Sequence, residues 1–552
     1  MSIATPESRS DLSDFPEFEL ATPIADAAIA NAVALSDSES TPPGGELKSE
    51  ESSILAPDAL STGLVFVLSA TLLQRLVGMV RSVLFCDMMS EEEVGLFSLG
   101  FSSLVLLAPF AVLGIPGSFG RYVEYYRQRG NLGTYLRRTI SVSLGLGAAL
   151  SIFIMVFASL AARVLFNDAN QTRLALLTGA SLFFVVAFNL LNELSTALRK
   201  NRRASWMQFV SSIAFAACGL GFLWYSDGLA EYALLGYAVA CAAASLVAWP
   251  VVRAVWSIQD EPISKFSNRQ MWGKLLPYTA WFWAFNLLTN VFDISDRYLI
   301  LWWSKASTEG AQALVGQLHS ARVFPVIIVG LATMIGGMLL PHLCHDWEMG
   351  RREQVARQLR FAIKMVSLVF SFLCATVILA APLIFHFVWR GRYDHGLSLL
   401  PITCAMCVWQ CLMIMVQQYL WCTERARLAC LPICGGLLVS VSLNAFVLPR
   451  YGIEGAAVSA ALANFAALFA ALVLAHWLGF RTNCRVVIFA LWPGVLVLGL
   501  WHGVIPVLVA SLGGAAMLTI LECEEKSLLR DLVTAVRRRL GWSPLEKSAR
   551  RS

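Results

Sequence analysis

Four arginines stand inside long apolar segments, and they are the residues of this sequence best suited to bind an anion. They are Arg75, Arg81, Arg297 and Arg322. A charged side chain near the centre of a bilayer costs on the order of 3 kcal/mol, so charges placed there usually serve a function. The planar guanidinium donates paired hydrogen bonds to phosphate and keeps its charge when partly dehydrated. The arginines therefore predict a site for an anionic headgroup, with snorkelling or structural ion pairing as the alternative.

Polar residues share the helix faces of these arginines. Three of them precede Arg297 at helical spacing, so that one stripe of an otherwise apolar helix is polar. Gln74 lies beside Arg75, and His319 stands three residues before Arg322. The stripe before Arg297 consists of Asn286, Asn290 and Asp293. We predict that Gln74, Asn286, Asn290 and His319 bind substrate together with the four arginines.

Two carboxylates accompany the arginines. Asp293 stands four residues before Arg297, and Asp296 directly precedes it. They are the obvious candidates for coupling to an ion, but we expect them chiefly to pair with Arg297. Since three or four arginines meet at most two carboxylates, a surplus of positive charge should face a cavity.

The composition is that of a membrane protein. Of 552 residues, 57% are hydrophobic and 14% charged, and the mean hydropathy is +0.64. A soluble protein has about 25% charged residues. The apolar residues recur in about fourteen blocks, each near the ~20 residues that one transmembrane helix needs. The sequence thus predicts an all-α polytopic membrane protein and excludes a soluble enzyme.

Basic residues give the orientation of these blocks. Thirty Lys and Arg lie after the even-numbered segments and in the C-terminal tail, whereas only six lie on the other side. Short loops rich in Lys and Arg face the cytoplasm. We therefore expect both termini to be cytoplasmic, in the inner membrane, with the acidic turn after Asp87 outside.

A weak internal repeat relates the first and seventh segments. After Arg81 comes a turn and then Val94-Gly95, and after Arg297 comes a turn and then Val315-Gly316. Both segments start on the same side, so the repeat is parallel, with its axis along the membrane normal. It predicts two six-helix lobes around a central cavity. The predicted domains are a disordered acidic cytoplasmic tail (1–57), an N-terminal lobe (58–260), a C-terminal lobe (261–482), an extra helix pair that is alternatively one re-entrant unit (483–523), and a basic cytoplasmic tail (524–552).

Several short motifs, in this order, carry a resemblance to a known family. They are Arg75-x-x-Gly78-x-x-Arg81, Glu92-Glu93-Val94-Gly95-Leu96-Phe97, Gly114-Ile115-Pro116 ahead of Arg121-Tyr122, Asp296-Arg297-Tyr298-Leu299, Leu340-Pro341 and Tyr451-Gly452-Ile453-Glu454-Gly455. From about residue 61 to 480 the chain resembles the multidrug/oligosaccharidyl-lipid/polysaccharide (MOP) flippase superfamily, and most closely its polysaccharide and O-antigen flippase branch.

The resemblance implies a transporter of twelve to fourteen helices that carries lipid-linked saccharide from the inner to the outer leaflet. Arg75, Arg81 and Arg297 match arginines that engage the lipid diphosphate, whereas Arg322 is placed by its depth alone. A lipid II flippase and a cation-coupled multidrug exporter of the same superfamily remain alternatives. The implied partners are a lipid-linked saccharide, membrane lipids and, in the same process, a polysaccharide polymerase and glycosyltransferases. No cofactor, metal or nucleic-acid partner is expected.

Overall fold

A computed structural model describes residues 60–260, 267–423 and 426–519. The predicted tails, 1–57 and 524–552, lie outside these ranges. Within them the chain is helical and has no strand. The helices up to residue 257 are α1 (Leu60–Met88), α2 (Glu91–Ala111), α3 (Phe119–Gln128), α4 (Leu132–Val156), α5 (Ala158–Phe166), α6 (Thr172–Ala197), α7 (Asn201–Tyr225), α8 (Ala230–Val247) and α9 (Trp249–Ser257).

The later helices carry the rest of the candidate site. They are α10 (Asn268–Trp303), α11 (Thr308–Arg322), α12 (Val326–Glu348), α13 (Arg352–Leu383), α14 (Asp394–Cys422), α15 (Cys430–Trp477), α16 (Cys484–Leu491) and α17 (Val504–Thr519). Short 3₁₀ turns span Ile115–Ser118, Ala169–Gln171, Ala426–Ala429 and Trp492–Leu500, and a π turn spans Ile384–Val388.

The predicted crossings coincide with these helices. Nine helical segments of the described chain are long and apolar enough to span a membrane, which confirms an all-helical membrane protein. The two crossings predicted around residue 450 lie in α15, which is interrupted at Gly452, where φ is 60° and ψ is −141°. Each of the fourteen predicted blocks falls on a helix or on consecutive helices, while the number of full crossings stays a prediction.

The predicted eighth crossing is not one continuous helix. It divides into α11 and α12 at residues 323–325, because Pro325 has no N–H to donate to the carbonyl of Ala321. That carbonyl instead accepts a hydrogen bond from the Thr403 hydroxyl of α14 at 3.2 Å. The break lies next to Arg322, and at this point the end of α11 packs against α14.

Two groups of helices enclose the space into which the arginines project. In the first group, α1 packs along α7, and α2 lies against α6 and α8; α11 and α10 belong to the second group, where they pack on α14 and α15. In the second group, α14 is the most buried helix and contacts α12, α13 and α15. The short helices α16 and α17 pack on the outside of α13, so the C-terminal pair does not line the central space.

The two groups touch closely where α2 crosses α11. A Cβ added to Gly95 would lie 1.8 Å from the carbonyl oxygen of Gln312, and one added to Gly316 would lie 1.9 Å from that of Glu91. Each glycine thus faces the carbonyl four residues before the other glycine, as a two-fold axis between the helices requires. Small residues allow such backbone contact between membrane helices. These are the two glycines of the predicted parallel repeat.

A second contact closes the same end of the molecule. The turn after α1 is held by Arg392, whose side chain pairs with Asp87 at 3.2 Å and donates to the carbonyl of Met89 at 3.3 Å. The indole of Trp389 donates to the carbonyl of Val83 at 3.0 Å. The end of the cavity that the basic residues predict to be outside is therefore closed.

Candidate functional site

The four arginines meet at one cavity between the two helix groups. A volume of about 510 Å³ lies against α1, α6 and α7, and an adjoining volume of about 340 Å³ lies against α10, α14 and α15. Both volumes are lined by Arg81, Arg297 and Arg322, while Arg75 lines the larger one. Three of the arginines thus stand at the junction of the two volumes. The structure brings together the residues that the sequence predicted as a cluster.

Arg81 and Arg297 reach the cavity from opposite groups of helices. The guanidinium of Arg81 lies 3.9 Å from the ring centroid of Phe215, a distance at which a cation and an aromatic face attract each other. Arg297 donates to the hydroxyl of Ser102 on α2. The Nε atoms of both arginines are buried and have no hydrogen-bond partner in the described chain. Each arginine therefore has donor capacity left for a ligand.

The Asp296-Arg297-Tyr298 motif fastens α10 to α2. Next to the contact of Arg297 with Ser102, the hydroxyl of Tyr298 lies 2.7 Å from that of Ser103. Ser102 and Ser103 are buried on α2, one after the other, and each hydroxyl also bonds to the carbonyl four residues back. The motif thus holds a cavity arginine in place across the two helix groups.

Arg322 is the most enclosed of the four and is paired. Its side chain forms an ion pair with Asp296 and lies 3.3 Å from the sulfur of Met406. Removing a charged pair from water is expensive, and good hydrogen-bonded geometry is what offsets that cost. Arg322 therefore contributes both to the packing of α10 against α11 and to the positive charge of the cavity.

Arg75 is exposed to the larger volume and lies against α12. A Cβ added to Gly330 would lie 2.7 Å from the Nε and Cζ atoms of Arg75. The absence of a side chain at Gly330 therefore provides the space in which the guanidinium of Arg75 lies. Gln74, beside Arg75, lines the same volume, and its carbonyl accepts from the hydroxyl of Ser212 at 3.2 Å.

The predicted pairing of the carboxylates with Arg297 is wrong. Asp296 pairs with Arg322, which lies 26 residues along the chain, on another helix. Asp293 is exposed to the cavity and accepts from Gln410 of α14 at 2.9 Å. An i, i+4 spacing makes a pair possible, but the cross-helix contacts of a packed bundle decide which pair forms.

The charges of the cavity do not cancel. Four arginines face the two carboxylates Asp293 and Asp296, which leaves an excess of two positive charges. His319 lines both volumes, and its Nδ1 lies 3.2 Å from the hydroxyl of Ser98. The site is thus a cationic cavity whose lining also includes the polar side chains of His319 and Ser98.

Asn286 and Asn290 line a third volume, of about 290 Å³, further along α10 from Arg297. Asn290 donates to the side-chain oxygen of Asn286 at 2.9 Å. The predicted polar stripe of α10 therefore faces two neighbouring cavities: Asn286 and Asn290 line the third volume, and Asp293 and Arg297 line the arginine cavity. The third volume meets the larger one at Asn189 and Tyr237.

Sequence reasoning missed Glu193, which lines the third volume. Its signal was present in the sequence, because Asn189 and Glu193 stand four residues apart on α6 and so share one face of that helix. From the sequence alone, a single acidic residue near the end of a crossing is interpreted as a charge at the membrane interface. Its position in a cavity is known only once the packing of the helices is known. Within the described ranges, no group of three His, Cys, Asp or Glu residues is placed to hold a metal.

Two groups of membrane helices around a cationic cavity that is closed at one end define a transporter rather than an enzyme. Comparison with known families agrees: the model of the polysaccharide biosynthesis protein family matches residues 60–345. The chain belongs to this family, within the MOP superfamily. A comparison with curated proteins finds no match.

Solved structures of MOP transporters share the fold. An inward-facing MATE family multidrug resistance transporter aligns with a TM-score of 0.60 and 14% identity, over 77% of this chain and 98% of that one. The lipid II flippase MurJ in an inward closed conformation aligns with a TM-score of 0.59 and 14% identity, over 81% and 98%. An outward-facing MATE transporter gives a TM-score of 0.54 at 15% identity, over 80% and 99%.

Proposed function

We propose that this protein flips a polyprenyl-diphosphate-linked oligosaccharide from the inner to the outer leaflet of the cytoplasmic membrane, for surface polysaccharide biosynthesis. The observation that carries the proposal is the cluster of four arginines with an excess of two positive charges. The diphosphate of such a lipid carries on the order of two negative charges and offers oxygens that a guanidinium binds in pairs. The match in charge and in hydrogen bonding favours this substrate class.

Transport follows from alternating access of the cavity. With its outer end closed by the contacts of Gly95 and of Arg392, the cavity receives the headgroup from the cytoplasmic side while the polyprenyl chain stays in lipid. Bound diphosphate neutralises the arginines and so lowers the cost of bringing the two helix groups together around it. A ligand shifts such an equilibrium only by the difference between its affinities for the two states. No covalent step is needed.

Asp293 is the better candidate for coupling to an ion. Its carboxylate faces the cavity with Gln410 as its hydrogen-bond donor, whereas Asp296 is committed to Arg322. A proton or a monovalent cation bound at Asp293 would raise the positive charge of the cavity and thereby favour headgroup binding. Energy from the membrane potential alone is the other possibility.

A lipid II flippase is the second candidate, since lipid II also bears a diphosphate and the solved lipid II flippase shares this fold. Rescue of a strain depleted of its lipid II flippase would favour it, whereas restored surface polysaccharide in a flippase-null strain favours our proposal. The fold is shared with multidrug exporters as well. The excess positive charge of the cavity disfavours cationic drugs as cargo.

Reconstituted flipping tests the proposal. Arg81→Gln and Arg297→Gln should each reduce the flipping of a fluorescent undecaprenyl-diphosphate oligosaccharide in proteoliposomes at least about tenfold, because each removes a charged donor from the cavity. Arg163→Gln is the matched control, since Arg163 is exposed on α5 and lines none of the cavities described above. Wild-type rates in both cavity variants would overturn the proposal.

A further inference from the structure

The third cavity holds polar groups that no protein group satisfies. The carboxylate of Glu193 projects into it and forms no hydrogen bond or ion pair with any residue of the described ranges. The indole nitrogen of Trp283 is buried at its wall and also has no partner in the described chain. The indole nitrogen of Trp283 is a buried donor without a partner, which costs about 1–3 kcal/mol, whereas the side chain of Glu193 is exposed to the volume. An acceptor and a donor are therefore both open to a ligand in one small volume.

The wall of this cavity depends on the Gly114-Ile115-Pro116-Gly117 turn after α2. A Cβ added to Gly117 would lie 2.2 Å from the ring of Phe282, and one added to Gly114 would lie 2.9 Å from the Cβ of Trp283. Gly114 also has φ of +71°, a conformation that favours glycine. The turn thus lets two aromatic residues of α10 approach the first helix group, where both line the cavity.

Aromatic rings, side-chain amides and one carboxylate are groups that suit a sugar ring. The rings cover its apolar face, and the amides and the carboxylate bond to its hydroxyl groups. Asn286 and Asn290 supply the amides, and their mutual hydrogen bond fixes their orientation. A site with few polar groups set among apolar walls is typical of small-ligand binding.

The distance from the arginines agrees with this assignment. Asn290 and Asn286 precede Arg297 by 7 and 11 residues, and at ~1.5 Å of rise per residue they lie about 10 and 16 Å along the helix from it. That span accommodates a diphosphate and the first sugar attached to it. The third volume also joins the arginine cavity at Asn189, so one headgroup reaches both.

We propose that this third cavity binds the sugar next to the diphosphate and that Glu193 selects an uncharged sugar over an acidic one. The inference rests on the proposed function and adds a specificity residue to it. An unpaired carboxylate accepts hydrogen bonds from hydroxyl and amide groups but repels a uronic acid, and such repulsion is an established means of discrimination.

Binding to the purified full chain in nanodiscs tests this. The probes are undecaprenyl diphosphate, undecaprenyl-diphospho-N-acetylglucosamine and undecaprenyl-diphospho-glucuronic acid. Wild type should bind the N-acetylglucosamine lipid about tenfold more tightly than the glucuronic acid lipid, and Glu193→Gln should reduce that ratio to about one. Trp283→Phe should weaken the N-acetylglucosamine lipid about tenfold relative to undecaprenyl diphosphate, because it removes the indole donor.

The control is Glu124→Gln, which changes an exposed carboxylate on α3 that pairs with Arg127 outside these cavities. It should leave all three affinities and their ratios unchanged. Equal ratios in wild type, Glu193→Gln and Glu124→Gln would overturn the sugar site while leaving the flippase proposal intact. Failure of wild type to bind undecaprenyl diphosphate at all would overturn the proposed function itself.

Discussion

At the residue scale, the four arginines have different roles. Arg322 is buried and forms an ion pair with Asp296, whereas Arg81 and Arg297 form no ion pair with a carboxylate of the described ranges. Arg75 lies against Gly330, at the far side of the larger volume. We therefore expect Arg322 to support both structure and charge, and the other three chiefly to bind the headgroup.

Breaking the Asp296–Arg322 pair should cost stability. Removing one partner of a buried ion pair leaves an uncompensated charge and destabilises by about 3–5 kcal/mol. Asp296→Asn should therefore lower the thermal unfolding temperature of the detergent-purified protein, and adding Arg322→Gln should recover part of that loss. The double-mutant cycle measures the coupling, and two additive losses would show that the pair is not coupled.

Gly330 should act through Arg75. In Gly330→Ala the new methyl group would occupy the place of the guanidinium, so the flexible end of Arg75 must move. Alanine is more favourable than glycine within a helix by about 1 kcal/mol, so stability should hold or rise while flipping falls several-fold.

Gly337→Ala is the matched control on the same helix, since nothing lies within 4 Å of a Cβ at that position. It should leave flipping unchanged. Equal flipping by the two alanine variants would contradict a positioning role for Gly330.

At the scale of helices, the sequence was sufficient to predict features that depend on spacing within one segment. The polar stripe of α10 and the paired glycines of α2 and α11 follow from spacing along one segment. Asp296 and Arg322 are different, because their pairing depends on how α10 packs against α11. The break at Pro325 was missed although proline is a local signal, because the apolar run continues through it; the Thr403 contact then shows how the freed carbonyl is satisfied.

The crossing of α2 and α11 should hold the outer end closed. Gly95→Val would force the two backbones apart, because even one Cβ lies 1.8 Å from the Gln312 oxygen. We expect the variant to expose the cavity from outside. With Cys407 replaced by Ser, an impermeant maleimide added from outside should label Ser102→Cys several-fold faster in Gly95→Val than in its absence.

Gly221→Ala on α7 is the control for that experiment, since a Cβ there meets nothing within 4 Å. It should label at the background rate. Unchanged labelling in Gly95→Val would mean that the glycine crossing does not form the outer closure.

At the scale of the whole molecule, composition predicted a polytopic membrane protein and the motif resemblance predicted the superfamily, which the family comparison confirmed. The orientation taken from the charge asymmetry stays a prediction. The domain limits of 58–260 and 261–482 remain predictions, since residues 261–266 between the lobes lie outside the described ranges. The three volumes adjoin one another and together extend from Arg81 and Arg297 to Glu193. No pattern along the sequence predicted this arrangement. It combines residues of helices from both halves of the chain.

The central claim is that this cavity recognises the diphosphate of a polyprenyl lipid. The most direct test compares the affinities of the purified wild-type protein, in nanodiscs, for undecaprenyl diphosphate, undecaprenyl monophosphate and neutral undecaprenol. We predict that affinity falls about tenfold or more at each step of that series, and that Arg81→Gln/Arg297→Gln removes most of the difference. Equal binding of undecaprenol and undecaprenyl diphosphate by the wild-type protein would contradict the account.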